Sequence, residues 1–211
     1  YPSVGLDAIA VANGLASGVG EASVHAATSC LGAMTAAGFH VEDGRGIGVF
    51  AISDPGGSYG VGRASILDDP RAAATSAVLE ALVDAGRPGE QPTLVWLSAV
   101  PGSEESVLHG IHDVVGTNTP IAGGSAADNT IAGEWRQFGP GEVLEDHVVV
   151  SVLFPSSRVH HSFHSGYVAT EVEGVVTRAE GRRLFEIDGR PAGEVYACLL
   201  YTSPSPRDNR V

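Results

Sequence analysis

Thr93 to Asn129 constrain the fold more than any other stretch, because they read as one complete βαβ unit. Thr93-Leu94-Val95-Trp96-Leu97-Ser98-Ala99-Val100 is a short apolar run opened by Pro92 and closed by Pro101-Gly102. Its length and flanks predict a strand buried on both faces. Ser103 is placed to cap a following helix, with Glu104 and Glu105 in the first turn, where carboxylates complement the positive helix end. Val107, Leu108, Ile111, Val114 and Val115 form one apolar stripe, and Gly116 is placed to stop the helix. Pro120-Ile121-Ala122 begins a second strand, which runs into a glycine-rich loop, Gly123-Gly124-Ser125-Ala126-Ala127-Asp128-Asn129. Ligands of open α/β sheets sit outside the carboxyl ends of the strands, so this loop is the first place to look for a site.

The pattern recurs. A shift of 96 positions sets Val11 on Val107, Gly14 on Gly110, Gly20 on Gly116, Ala26 on Ala122 and Ser29 on Ser125 without a gap. Leu15 falls on Ile111, and Ala27-Thr28-Ser29-Cys30 on Gly123-Gly124-Ser125-Ala126. Five identities among small residues can arise by chance. The register of the helix ends and of the strand-to-loop switch favours duplicated βαβ-type units. The same shift sets Tyr1 on Leu97, inside a strand, so the natural chain is expected to extend upstream.

Beyond these units the chain reads as α/β with a mixed sheet, followed by antiparallel strands. Leu6 to Gly18 has weak helical periodicity, and Ser23 to Ser29 reads as a short strand. Arg45 to Ile52 also reads as a strand, ended by the turn Asp54-Pro55-Gly56-Gly57. Asp69 and Pro70 suit the N-cap and first position of a helix. Its expected buried stripe is Ala74, Val78, Leu79, Leu82 and Val83. After Asn129 only strands are expected: Trp135–Phe138, His147–Phe154, Val159–Tyr167, Val172–Ala179 and Leu184–Ile187. Cys198 to Val211 resemble the conceptual translation of a sequencing adapter, as found at the ends of assembled metagenomic reads, and are set aside as a non-native tail.

Composition removes several functional classes. The net charge is −13, and all 12 basic residues are Arg. With no basic stripe, nucleic-acid binding is not expected. The longest apolar run, near Val148 to Phe154, is too short to span a bilayer. Cys30 and Cys198 form no CxxC pair, so neither a disulfide framework nor a zinc motif is indicated.

The candidate chemical groups are few. His160, Ser162 and His164 would share one strand face, but His residues at i and i+4 on a strand lie about 13 Å apart, too far to chelate one metal unaided. An exposed polar face is the simpler reading. His109 and Asp113 sit at i, i+4 off the helix stripe, as a solvated pair. Cys30 follows a strand in a small-residue loop and is expected to be a buried structural thiol. Ser125 lacks the last glycine of GxSxG, since Ala127 stands there. Neither GxGxxG nor a Walker motif is present.

Several stretches nevertheless resemble one family. Pro120 to Asp128 are similar to the proline-hydrophobic-Gly-Gly-small-residue-Asp stretch of FIST domains. Phe138-Gly139 followed by His147-Val148-Val149-Val150 resembles the stretch after it. Gly166 to Thr170, Val175 to Gly181, Glu186-Ile187-Asp188-Gly189-Arg190-Pro191-Ala192 and Val195-Tyr196 resemble the family's junction. Ala27-Thr28-Ser29-Cys30-Leu31-Gly32 corresponds to its earlier Gly-Cys-Thr loop, with Ala27 in place of the leading glycine.

The resemblance implies a FIST N-terminal-like domain at 1–165, truncated at its start. It implies the junction and opening of a C-terminal-like domain at 166–197, leaving 198–211 as the tail. It further implies a cytoplasmic sensory domain of a bacterial signal-transduction protein that binds a small molecule, usually proposed to be an amino acid. Its output would be a histidine kinase, a chemoreceptor or a cyclic-dinucleotide enzyme. The family offers no agreed catalytic set, so no catalytic residue, metal ligand or cofactor is carried over. The expected ligand-binding residues are Thr28, Ser29, Cys30, Gly123, Gly124, Ser125, Asp128 and Asn129.

Three alternatives stay open. One is a haem-binding nitric-oxide sensor using His109, His112, His160, His161 or His164. Another is an enzyme with Cys30 or Ser125 as nucleophile, which needs a His within about 3.5 Å. The third is a protein-interaction platform, which an exposed apolar patch would favour.

Overall fold

Strand, helix and strand follow one another across Thr93–Asn129 as expected, although Trp96 is exposed on a strand expected to be buried on both faces. The structure, a computed structural model, describes residues 6–30, 32–43, 45–130, 132–164, 168 and 172–202. It divides into two compact units, Tyr1–His160 and His161–Val211. The first contains α1 (Ala8–Gly18), β1 (Ala26–Ala27), β2 (Ala33–Thr35), β3 (Gly38–His40), β4 (Ser58–Ser65), α2 (Pro70–Asp84), β5 (Leu94–Ala99), α3 (Glu104–Val115), β6 (Ile121–Ser125), β7 (Gln137–Gly139), β8 (Glu142–Leu144) and β9 (His147–Phe154). The second contains β10 (Val176–Glu180), β11 (Arg183–Ile187), β12 (Arg190–Pro191) and α4 (Ala192–Thr202). The result is an α/β fold with mixed and antiparallel sheets.

The main sheet has the order β4-β9-β5-β6. β5 and β6 are parallel, joined through α3, while β9 runs antiparallel to both β4 and β5. The strand expected in an antiparallel second half therefore sits inside the α/β sheet. The physical reason lies in its side chains: Val148, Val149, Val150 and Val152 are all buried. A strand apolar on both faces belongs at a sheet centre.

α2 and α3 cover one face, where Val95, Leu97, Val150 and Val152 meet Ala74, Ala77, Val78, Ala81, Val107 and Ile111. Asp69 caps α2 by accepting from the Arg71 and Ala72 amides. The buried face of α2 differs from expectation, because Leu79 and Val83 are exposed and Ala77 and Ala81 lie inside. Gly60 and Gly62 of β4 dictate this. A Cβ on Gly60 would stand 2.1 Å from the Ala81 carbonyl oxygen, and one on Gly62 would stand 2.0 Å from that of Ala77. The helix rests directly on the strand backbone, and only small residues fit between them. Asp113 of α3 pairs with Arg71 of α2 at 2.6 and 2.8 Å. Arg71, and to a smaller extent His109 and His112, holds its carboxyl below the usual range. The dominant partner of Asp113 is thus Arg71 on the neighbouring helix, with His109 the lesser one.

β1, β7 and β8 form a second, antiparallel sheet. Phe138 of β7 packs with Ala12 of α1, Ala26, Val11 and Leu15. β2 and β3 form a separate hairpin. Among the described residues, the expected strand over Arg45–Ile52 is reduced to isolated bridges, one between Glu42 and Arg45 and one at Ile47. Val49 and Phe50 point to solvent there, so no second layer holds them in a ladder. His160 to His164 likewise carry no strand and are exposed; Ser165 to Tyr167, the rest of that expected strand, lie outside the described residues. The expected 172–179 strand begins at Val176. In the second unit, β10, β11 and β12 form an antiparallel sheet, and α4 continues past Ala197 to Thr202. The region 203–211 lies outside the described residues. Among the described residues, no helix is long and apolar enough to cross a membrane.

Candidate functional site

The two loops related by the sequence shift are joined in space. At the end of β5, the Ala126 amide donates to the Ala99 carbonyl at 2.7 Å, extending the β5–β6 pairing past Ser125. The next amide, Ala127, donates to the Thr28 carbonyl at 3.1 Å. Thr28 also exchanges bonds with Arg136: its amide donates to the Arg136 carbonyl at 2.8 Å, and its Oγ1 accepts from the Arg136 amide at 3.0 Å. Thr28 is buried. It is therefore the stitch between the first loop, the second loop and the lead into β7.

Asp128 is also buried. Its carboxylate accepts the amides of Thr130 and Ala132 on Oδ1, at 3.0 and 3.2 Å, and of Glu134 on Oδ2 at 2.8 Å. Charge-assisted bonds of this kind shape a loop strongly. Asp128, one of the expected ligand-binding residues, thus holds the backbone at Thr130, Ala132 and Glu134 from inside. Asn129 is half-buried beside it.

The glycine pair belongs to β6 and not to a loop, since Gly123, Gly124 and Ser125 pair in register with Leu97, Ser98 and Ala99. Gly123 has φ +132°, and a Cβ there would lie 2.0 Å from the Leu97 carbonyl oxygen. Only glycine permits that approach. Gly124 has open space where a Cβ would stand. Gly123, Gly124 and Ser125 are all exposed. Ser125 donates to Glu104 Oε1 at 2.9 Å, and the Gly102 amide donates to Glu104 Oε2 at 3.0 Å. Ser103, although placed at the N-cap of α3, makes no side-chain cap bond. The Glu104 carboxylate holds this corner instead, close to the positive end of α3.

The other two expected residues line the first loop. Ser29 Oγ donates to the Gly32 carbonyl at 2.7 Å, closing the turn, so Ser29 and its counterpart Ser125 have different partners. Cys30 is exposed and not buried as expected.

Sequence reasoning passed over His25. Nδ1 of His25 lies 2.7 Å from Ser151 Oγ, and Nε2 lies 2.8 Å from Ser98 Oγ. Ser98 and Ser151 belong to β5 and β9, which are neighbours in the main sheet. Their side chains alternate with Leu97, Val150 and Val152, so they lie on the face turned away from α2 and α3. Burial lowers the His25 pKa from 6.5 to about 4, and the ring is neutral at physiological pH. The only sequence signal was a polar residue in the otherwise small and apolar run Val24-His25-Ala26-Ala27. His109, His160, His161 and His164 are exposed and His112 is half-buried. Among the described residues, no group of three His, Cys, Asp or Glu side chains could hold a metal ion.

The candidate site therefore brings together the exposed end of β6, the hydroxyls of Ser29 and Ser125, a carboxylate at Glu104, and a stitched base at Thr28 and Ala127. It offers hydrogen-bonding groups at the carboxyl edge of two parallel strands, where small polar ligands bind in α/β folds.

A 100-residue stretch is 35% identical to an uncharacterized protein of Methanocaldococcus jannaschii; the match takes in 46% of this chain and 19% of that protein. The chain thus spans about a fifth of the length of this curated relative. The FIST N domain model matches residues 3–190, so the chain belongs to the FIST N domain family, a family of sensory domains of signal-transduction proteins.

Proposed function

We propose that the chain is a non-enzymatic sensory domain that binds a small polar molecule at the paired loops, an amino acid being the leading class, and passes occupancy to a signalling partner. The stitch between Thr28 and Ala127 carries the reading, because it makes two separate segments into one edge. An α-amino acid presents an ammonium group, which the Glu104 carboxylate and Ser125 hydroxyl complement, and a carboxylate, which backbone amides at a strand end complement. Ser125 bonds a carboxylate and both ring nitrogens of His25 face serines, which favours binding over nucleophilic chemistry. A histidine kinase, a chemoreceptor or a cyclic-dinucleotide enzyme would receive the signal. Titration calorimetry against the twenty protein L-amino acids tests the reading. Saturable heat with one or a few is expected, and no heat with any removes the amino-acid assignment.

A second reading concerns the output. Met34, Phe39, Val49 and Phe50 are all exposed, in and just beyond the β2–β3 hairpin that follows the first loop. Met34 and Phe39 are cross-strand partners, and exposed apolar side chains mark contact surfaces where they form a patch. Phe50→Asp is expected to abolish coupling to a partner while leaving ligand affinity unchanged; a loss of ligand affinity would count against it.

A further inference from the structure

We propose that His25 is a positioning residue for the paired-loop site: its two-sided hydrogen bond to Ser98 and Ser151 fixes the strand that ends in Thr28, and so sets the Thr28–Ala127 closure. The proposal rests on the paired-loop reading only for its consequence, ligand affinity.

Three observations converge. First, His25 stands one residue before β1, and Thr28 stands one residue after it. A two-residue strand paired with β7 alone is held by few backbone bonds. A side-chain anchor just upstream therefore matters more than it would beside a long strand. Second, the anchor reaches two different strands of the main sheet, at 2.7 Å to Ser151 of β9 and 2.8 Å to Ser98 of β5. Attachment at two points on a rigid sheet removes the freedom that one bond would leave. Third, β5 also carries the second loop. Ser98 pairs in register with Gly124, and the Ala99 carbonyl takes the Ala126 amide. One strand thus holds both sides of the site, the first loop through His25 and the second through its own backbone.

The chemistry of the imidazole suits this use. A neutral ring is a donor on one nitrogen and an acceptor on the other. A serine hydroxyl serves as either partner, so both contacts are satisfied in either tautomer. An amide side chain such as Gln reproduces one contact, and Ala reproduces neither.

Native-state hydrogen exchange at pH 7, read amide by amide, tests the assignment on the whole chain. The reporters are Thr28, whose amide donates to Arg136, and Ala127, whose amide donates to Thr28, with Val95 inside the main sheet as the internal control. In His25→Ala, protection at Thr28 and Ala127 is expected to fall roughly tenfold or more, as loss of two hydrogen bonds implies, while Val95 is little changed. His25→Gln is expected to restore part of that protection through Ser98. Ser98→Ala is expected to lower it, with no further loss when combined with His25→Ala. If His25→Ala does not fold, Ser98→Ala and His25→Gln carry the comparison. Unchanged protection at Thr28 and Ala127 overturns the proposal. So does an equal fall at Val95, which would make His25 an ordinary core residue.

Calorimetric titration of the same variants with the twenty protein L-amino acids separates the two claims. If the wild type binds none of them, the amino-acid reading falls and the exchange result decides the positioning role. If the wild type binds one and His25→Ala binds it equally well, the positioning role falls and the ligand site stands.

Discussion

The Ala127 amide donates to the Thr28 carbonyl at 3.1 Å, and this one bond brings together two loops that the sequence presents as separate copies of a pattern. Thr28 is buried and its hydroxyl is committed to the Arg136 amide. Thr28→Val should therefore strand that amide and destabilise the chain by about 1–3 kcal/mol, whereas Thr28→Ser should cost well under half as much. Urea denaturation of the two variants provides the check, and equal destabilisation would argue that the methyl group matters and the hydroxyl does not.

The two adjacent glycines of β6 should respond oppositely to alanine. Gly123→Ala drives a Cβ to 2.0 Å from the Leu97 oxygen at φ +132°, and overpacking with strain of this kind costs about 1–3 kcal/mol or more. Gly124→Ala meets nothing within 4 Å, so its midpoint should stay within about 0.5 kcal/mol of wild type. Ligand affinity should fall in Gly124→Ala all the same, because the added methyl occupies the exposed edge. Thermal melts and titrations on the pair decide this; a stable Gly123→Ala would contradict the packing argument.

Asp128→Asn keeps the shape of the side chain but turns one acceptor into a donor. One or more of the amides of Thr130, Ala132 and Glu134 would lose its partner. Hydrogen bonds to a charged group are worth about 1.5–3 kcal/mol, so a loss of that order is expected, with faster exchange of those three amides. Stability equal to wild type would show that the backbone at Thr130, Ala132 and Glu134 is held by something other than the carboxylate.

Acid should weaken the fold through His25. Its pKa falls from 6.5 to about 4 on folding, so the unfolded chain takes up the proton first as pH drops. The contribution is complete above pH 6.5 and is lost progressively between 6.5 and 4. At about 1.4 kcal/mol per pKa unit the loss is of the order of 3 kcal/mol. Denaturation of the wild type and His25→Gln at pH 7, 6, 5 and 4 isolates it, because other groups titrate alike in both. Parallel curves for the two proteins would rule it out.

Much of this architecture was legible in the residues, for identifiable reasons. β5, α3 and β6 were readable because Pro92, Pro101-Gly102 and Gly116 punctuate apolar runs of the right length. The start of α2 was readable from Asp69-Pro70. The buried face of α2 was not, because what selects Ala77 and Ala81 over Leu79 and Val83 is a pair of glycines on β4, a distant element. The central place of β9 was written in its unbroken valine run but is a matter of pairing, which local pattern does not report. At the site, the glycine-serine edge was visible as composition. The roles of Thr28 and Asp128 were not, since both act through backbone amides that carry no sequence signature. His25 was invisible for the same reason in stronger form: its partners lie 73 and 126 residues away.

The most direct test of the paired-loop site is amide chemical-shift mapping by NMR on titration with the amino acid that gives the largest calorimetric response. The account predicts saturable shifts concentrated at residues 28–32 and 123–129 together, with Ser125→Ala weakening both sets in parallel. Shifts confined to one loop, or centred elsewhere in the chain, would contradict it.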